Sequence, residues 1–111
     1  MLENDLEISC QQTYQVLHGK KPPVLIDCRE QHEWDFCRIE GAVLVPLSEF
    51  AGKAEKVFQD PEQEAVIYCH HGVRSLHAVQ YLRQQGFQNT LSMQGGIDAW
   101  SNQIDPNLEK Y

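Results

Sequence analysis

Short apolar runs alternate along the chain with segments that have the spacing of helices. The runs at residues 24–26, 42–45 and 65–68 are each short and bounded by polar residues or proline, which predicts buried strands. Residues 90–93 form a weaker run, and a further strand is possible around residues 7–9. Strands that alternate with helices indicate an α/β fold with a central parallel sheet of four to five strands and helices on both faces.

Helices are predicted between these strands, with ends marked by capping residues and glycines. Ser9 is expected to cap the first helix, and a break is expected near Gly52 in the third. Trp34, Phe36 and Trp100 are predicted to lie in the core, although Trp34 would line a site if its helix faced one. The predicted helices are residues 9–18, 30–36, 48–58, 75–85 and 96–100.

Length and composition are those of one globular domain over residues 1–111, with 41% hydrophobic residues. Sixteen acidic residues against nine Lys and Arg give a net charge of −7, which argues against nucleic acid and anionic membranes as partners. The start of the chain lacks the pattern of a signal peptide, so a cytoplasmic protein is expected. Cysteines of such a protein are expected to be reduced thiols rather than disulfides, namely Cys10, Cys28, Cys37 and Cys69.

The acidic residues are unevenly distributed along the chain. No Asp or Glu lies between Glu64 and Asp98, whereas Arg74, Arg83 and three of the five histidines do. This interval is therefore locally electropositive and suited to an anionic ligand.

One cysteine within that interval has the surroundings of a reactive thiol. Cys69 closes a predicted strand and stands just before a predicted helix, whose unpaired N–H groups favour an anion and lower a thiol pKa. Gly72 allows a tight turn that directs amides inward, and Arg74 adds a fixed positive charge. His70 and His71 can each donate a hydrogen bond. The loop is suited to a sulfur anion, either a thiolate or a persulfide.

Two less reactive interpretations were weighed for the cysteines. A buried structural thiol is the commoner fate of cysteine and is preferred for Cys10, Cys28 and Cys37, but not for Cys69. A zinc site combining Cys69 with the neighbouring histidines, including His77, is disfavoured because no second Cys-x-x-Cys pair or His-x-x-x-His spacing accompanies them. No metal or cofactor is predicted.

Four segments resemble, in the same order, motifs of the rhodanese family of sulfurtransferases. Together they span essentially the whole chain. Cys37 and Arg38 depart from the pattern, since they stand where the family often has Gly-His. The matching segments are the active loop Cys69-His70-His71-Gly72-Val73-Arg74-Ser75, the Asp-x-Arg-Glu of residues 27–30, the Ile-x-Gly-Ala…Pro of residues 39–46 and the Gly-Gly-x-x-x-Trp of residues 95–100.

The resemblance implies a rhodanese-like fold and a persulfide cycle. Cys69 would take a sulfur atom from a small anionic donor such as thiosulfate and pass it to cyanide, a protein thiol or a sulfur-carrier protein. Asp27 and Arg29 would brace the active loop rather than react, unless they form only a surface ion pair. Thiosulfate is expected to bind weakly, because the loop is less cationic than one rich in Lys and Arg. The residues implied in donor binding are His70, His71, Gly72, Val73 and Arg74.

Two alternatives and one hint about partners accompany this interpretation. Phosphatases and arsenate reductases of the same fold are disfavoured, since their Cys-x5-Arg loop is one residue longer than the interval from Cys69 to Arg74. A non-catalytic sulfur-binding or regulatory module is also possible, although inactive members usually lack the cysteine. Residues 105–111 resemble the ending of rhodanese domains fused to adenylating enzymes, which hints at a protein acceptor.

Overall fold

The computed structural model describes residues 6–111, in which five strands form one parallel sheet. The strand order is β1-β5-β4-β2-β3, so β4 lies in the middle of the sheet. This confirms the predicted parallel sheet and its strands, although β3 is shorter than the apolar run that predicted it. The strands are β1 (Glu7–Ile8), β2 (Val24–Asp27), β3 (Val43–Leu44), β4 (Ala65–Tyr68) and β5 (Thr90–Met93).

Within residues 6–111, five α-helices connect and follow these strands, and a 3₁₀ turn over Leu47–Glu49 precedes the third. Ser9 caps the first helix as predicted, because its Oγ accepts a hydrogen bond from Gln12 N at 3.1 Å. The helices are α1 (Cys10–Leu17), α2 (Gln31–Phe36), α3 (Phe50–Val57), α4 (Val73–Gln84) and α5 (Gly96–Gln103).

The predicted break at Gly52 is wrong, because α3 continues through that residue. The change of helix type comes earlier, between Glu49 and Phe50. A glycine within a helix costs about 1 kcal/mol relative to alanine. Burial of Phe50 and Ala54 on the inner face of α3 offsets that cost.

Helices cover both faces of the sheet, as predicted. One core cluster packs α3 and α4 against β2 and β4, with Phe50 and Leu82 among its buried residues. The other packs α1 and α5 on the opposite face, with Cys10 and Trp100 among them. Side chains alternate between the two clusters along β2 and β4, as a pleated strand buried on both faces requires.

Of the three aromatic residues predicted to lie in the core, only Trp100 of α5 does, and the two of α2 do not. Trp100 is buried, but Phe36 is 49% exposed and Trp34 is half-buried beneath the guanidinium of Arg38. The helix α2 has only six residues, and it lies at the surface with no side chain buried. Phe36 instead packs edge-on against the ring of Tyr111.

All four cysteines are free thiols in buried positions. None of the helices within residues 6–111 has the length and the apolar character needed to cross a bilayer.

Candidate active site

Two polar segments at strand ends, residues 27–30 at the end of β2 and residues 69–74 after β4, meet at one edge of the sheet. In the ladder between β2 and β4, Asp27 lies opposite Tyr68. The residues that follow, Cys28 and Cys69, therefore leave the sheet side by side at its carboxyl edge, where parallel α/β folds place their sites.

The loop between β4 and α4 holds Cys69 in an almost fully buried position, with 1% of its surface exposed. The turn depends on Gly72, which has a φ of 103° at the start of α4. A Cβ there would be strained by this φ and would lie 3.2 Å from the backbone nitrogen of Gly95. Glycine at this position thus allows the loop to close tightly around the sulfur.

Backbone amides point at the sulfur of Cys69, as the sequence predicted. Gly72 N–H donates to Sγ at 3.0 Å and Ser75 N–H donates at 3.4 Å. The hydroxyl of Ser75 lies 3.5 Å from the same atom and is held by Ser92 Oγ at 2.7 Å. The sulfur therefore occupies a small ring of donors at the amino end of α4.

These donors keep Cys69 ionised. A hydrogen bond from the Cys28 thiol, together with those from Ser75 and Gly72, outweighs burial and lowers the pKa of Cys69 to about 4. The pKa of Cys28 is raised, first by its hydrogen bond to Cys69 and then by burial, so the shared proton remains on Cys28. Cys69 is thus a thiolate at neutral pH and Cys28 is a thiol.

The low pKa of Cys69 gives a direct prediction for the wild-type protein. We expect thiolate ultraviolet absorbance to appear in a single step with a midpoint near pH 4, and this step should be absent from Cys69→Ser. In Ser75→Ala the midpoint should move to higher pH, because the contact from the Ser75 hydroxyl is lost and only the two backbone N–H groups of the ring remain. A wild-type midpoint at the ordinary thiol value of about 8.5 would contradict the described ring of donors.

Cys28 was interpreted from the sequence as a structural cysteine, and this interpretation is incomplete. Its side chain is fully buried, belongs to the same core cluster as Cys69 and is the largest influence on the lowered pKa of that thiol. The available signal was that each cysteine lies within two residues of the end of a predicted strand of the same sheet.

Arg74 acts on the loop through its charge rather than through a hydrogen bond to the sulfur. Its guanidinium forms a bidentate ion pair with Glu33 of α2, with distances of 2.7 and 2.9 Å. This ion pair, ahead of all other causes, lowers the pKa of Glu33 to about 2. Sequence reasoning missed Glu33, whose carboxylate compensates much of the positive charge expected from Arg74.

His70 lies in a stack of rings beside the loop. Its imidazole lies 3.9 Å from that of His71 and 3.8 Å from the ring of Tyr111, the latter pair being nearly parallel. Burial, and next the neighbouring imidazole, lowers the pKa of His70 and so favours its neutral form. Val73 is 64% exposed at the rim, and Tyr111 was not anticipated as a site residue.

Asp27 and Arg29 form a buried ion pair, not the surface pair considered as the alternative. Both side chains have no exposed surface, and Arg29 donates to the carboxylate through N, Nε and Nη2 at 2.6–3.1 Å. Arg29 also donates to Cys37 O at 2.6 Å and to Tyr111 Oη at 2.7 Å. Because Tyr111 in turn donates to Glu33 at 2.8 Å, this pair connects β2 with the residues around the loop.

The other side of the loop is held by α5, which sequence reasoning also missed. Ile97 N–H donates to Cys69 O at 2.8 Å, and Asp98 N–H donates to His70 O at 3.1 Å. Gly96 makes this approach possible, since a Cβ there would overlap both carbonyl oxygens. The glycine pair at 95–96, quoted for the resemblance, was the signal for this contact.

Three residues offer metal-binding atoms beside the loop. The imidazoles of His70 and His71 and the carboxylate of Asp98 have ligand atoms within 4.8 Å of one another. This set differs from the one weighed in the sequence, because Asp98 takes the place of Cys69 and His77.

The fold and the loop together define a class of protein: a parallel α/β domain with a thiolate in a short ring of amides beyond its central strand. The chain belongs to the rhodanese-like domain family, whose sequence pattern it matches over residues 9–103.

Curated relatives of this chain are longer proteins. It is 40% identical to the probable adenylyltransferase/sulfurtransferase MoeZ of Mycobacterium tuberculosis over 78% of its own length, and 30% identical to the adenylyltransferase and sulfurtransferase uba4 of Ogataea parapolymorpha over all of it. The chain spans about a quarter of these relatives, 22% and 27% respectively. It is thus homologous to one part of each.

Two solved structures superpose along nearly the whole of this chain. A rhodanese-like domain protein from Staphylococcus aureus is 27% identical with a TM-score of 0.79, covering 96% of this chain and 98% of that one. A thiosulfate sulfurtransferase from Pseudomonas aeruginosa has a TM-score of 0.81 at 22% identity, covering 95% of this chain and 20% of that one, and so shares the fold.

Proposed function

We propose that this protein is a sulfurtransferase that moves sulfane sulfur from thiosulfate or a persulfide donor to a thiophilic acceptor, through a persulfide on Cys69. The observation that supports this most directly is the buried Cys69 thiolate facing the N–H groups of Gly72 and Ser75. A low-pKa thiolate is both the attacking group and, after the transfer, a good leaving group.

The first half of the proposed cycle loads the cysteine. The Cys69 thiolate attacks the outer sulfur of the donor, the donor's S–S bond breaks, and sulfite leaves with the electron pair when the donor is thiosulfate. The product is a persulfide anion whose charge has moved one atom outward from Sγ. The loop amides and the charge of Arg74 stabilise the anion in both states.

The second half unloads it. A thiolate acceptor attacks the outer sulfur, the bond to Cys69 Sγ breaks, and the cysteine leaves as the thiolate. The names of MoeZ and uba4 combine adenylyltransferase with sulfurtransferase. Homology to these proteins supports a protein thiol or sulfur-carrier protein as the acceptor.

The Arg74–Glu33 ion pair bears on the choice of donor. Because the carboxylate offsets the guanidinium charge, we expect a dianionic donor such as thiosulfate to bind weakly. Glu33→Gln should lower the Michaelis constant for thiosulfate several-fold, while Glu49→Gln, which removes an exposed carboxylate of another ion pair, should leave it unchanged. A low-micromolar Michaelis constant in the wild type, or no difference between the two variants, would contradict this expectation.

The proposed function is tested by loading the protein with thiosulfate. Intact mass recorded at the earliest times of loading, before the persulfide reacts further, should show one added sulfur atom on the wild type and on Cys10→Ser, whose thiol belongs to the core cluster on the opposite face. Cyanide should then release thiocyanate from both. Cys69→Ser should do neither.

Two outcomes would favour the other interpretations. A wild type that takes no sulfur from thiosulfate or from a small persulfide would favour a regulatory module. Hydrolysis of an aryl phosphate that depends on Cys69 would favour a phosphatase.

A further inference from the structure

A second cysteine is in position to react with the first. Beyond the paired residues Asp27 and Tyr68, Cys28 N–H donates to Tyr68 O at 2.9 Å, so the chains remain in register as they leave the sheet. Neighbouring strands lie about 4.8 Å apart. That spacing falls within the range of Cα separations that a disulfide spans, about 4.4–6.8 Å.

The two side chains also point the same way. Cys28 and Cys69 belong to the same core cluster, whereas Cys10 and Cys37 belong to the cluster on the other face of the sheet. Both residues are at most 1% exposed, and the interaction with Cys28 is the largest influence on the lowered pKa of Cys69. The pairing is therefore selective among the four cysteines.

We propose that Cys28 is an internal acceptor that attacks the Cys69 persulfide, closes a Cys28–Cys69 disulfide and releases hydrosulfide. This inference rests on the proposed function, because it begins from the persulfide. It gives the protein a second activity, in which sulfane sulfur is reduced instead of transferred.

The step is balanced without any further reagent. Cys28 Sγ bonds to Cys69 Sγ, the bond from Cys69 Sγ to the outer sulfur breaks, and that sulfur leaves with the electron pair. The proton of the Cys28 thiol goes with it, so the persulfide anion and thiol become a disulfide and a hydrosulfide anion. In this step the Cys28 sulfur is oxidised from thiol to disulfide, the outer sulfur is reduced to the sulfide level, and Cys69 Sγ keeps its oxidation state. A dithiol then returns both cysteines to thiols by exchange.

Position separates this route from sulfur transfer. Cys28 approaches Cys69 from within the core and lies against the inner sulfur. An external acceptor is excluded from that buried side and meets the outer sulfur. The fate of the persulfide thus depends on whether an acceptor arrives before the internal thiol reacts.

The inference is tested by loading wild type, Cys28→Ser, Cys10→Ser and Cys69→Ser with thiosulfate in oxygen-free buffer with no thiol or cyanide. Serine at position 28 keeps a hydrogen-bond donor toward Cys69 and removes the nucleophile. We expect the wild type and Cys10→Ser to lose the added sulfur, release one hydrosulfide and become two hydrogens lighter than at the start. Peptide mapping should join Cys28 to Cys69, and a dithiol should restore the starting mass.

Cys28→Ser should instead keep its added sulfur and release no sulfide above the Cys69→Ser background. Cys28→Ala takes its place if the serine variant does not fold. A wild type that retains sulfur as long as the Cys28 variant, or forms the disulfide with no sulfide, overturns the inference alone. If neither wild type nor Cys28→Ser gains sulfur from thiosulfate or a small persulfide, the proposed function and the inference both fail.

Discussion

Gly96→Ala is expected to destabilise the fold by about 2–5 kcal/mol and to remove sulfur transfer, although residue 96 contributes no reacting group. The new methyl group would overlap the carbonyl oxygens of Cys69 and His70, which are backbone atoms that cannot rotate away. The φ of +62° at this position adds the cost of a left-handed conformation. To relieve the overlap, α5 must separate from the active loop, and the hydrogen bond from Ile97 N–H to Cys69 O is then lost.

Gly86→Ala is the matched control for this substitution. Gly86 also has a left-handed φ, of 98°, but a Cβ there meets nothing within 4 Å. It should therefore show only the conformational cost of about 1–2 kcal/mol and retain transfer. Urea unfolding and the thiocyanate assay measure both properties. Equal losses of stability in the two variants would show that the contact of α5 with the loop carries little weight.

Asp27→Asn is expected to lower the free energy of unfolding by about 3–5 kcal/mol. The asparagine would leave the guanidinium of Arg29 charged and without its carboxylate, in a position with no exposed surface. Burying such a charge has a large desolvation cost, which only the interaction with its carboxylate partner offsets. Because Arg29 also donates to Tyr111, we expect the ring stack beside His70 to loosen and transfer to fall.

The control for this ion pair is Glu49→Gln. Its partner is Lys53, and both side chains are 51% exposed, so its loss should cost only about 0.3–0.5 kcal/mol. Urea unfolding of the two variants at the same pH and salt concentration makes the comparison. A loss of less than about 1 kcal/mol in Asp27→Asn would mean that water reaches Arg29 in solution.

The sequence was sufficient to predict those features of the fold and the site that are determined by residues close together in the chain. The apolar run 65–68 is buried on both faces, and the helix cap at Ser9 depends on residues within one turn. The loop at Cys69 was predictable for the same reason, since strand, glycine and helix start are consecutive. Gly52 shows the limit of such local rules, because the burial of Phe50 and Ala54 outweighs the low helix propensity of the glycine.

Contacts between distant segments were not predictable in this way. Arg74 pairs with Glu33, and Tyr111 bridges Glu33 and Arg29, but no spacing along the chain brings these residues together. They depend on how α2 and residues 105–111 pack beside the loop. Cys28 is an intermediate case of predictability. Its position beside Cys69 follows from the register of β2 and β4 once it is known that these strands are adjacent.

The order of strands has a consequence for how the protein is made. In the described sheet β1 pairs with β5 alone, and the loop after β4 receives hydrogen bonds from residues 97 and 98. On the ribosome, β1 must wait for β5, and Cys69 leaves the exit tunnel before residues 97 and 98, which hold its loop, have emerged. A nascent chain thus carries an ordinary thiol, and the reactive sulfur marks a completed fold. In refolding experiments, thiolate absorbance should rise in the same kinetic phase in which Trp100 fluorescence shows that this side chain becomes buried. A rise in thiolate absorbance before that phase would disprove that the reactive sulfur forms only in the completed fold.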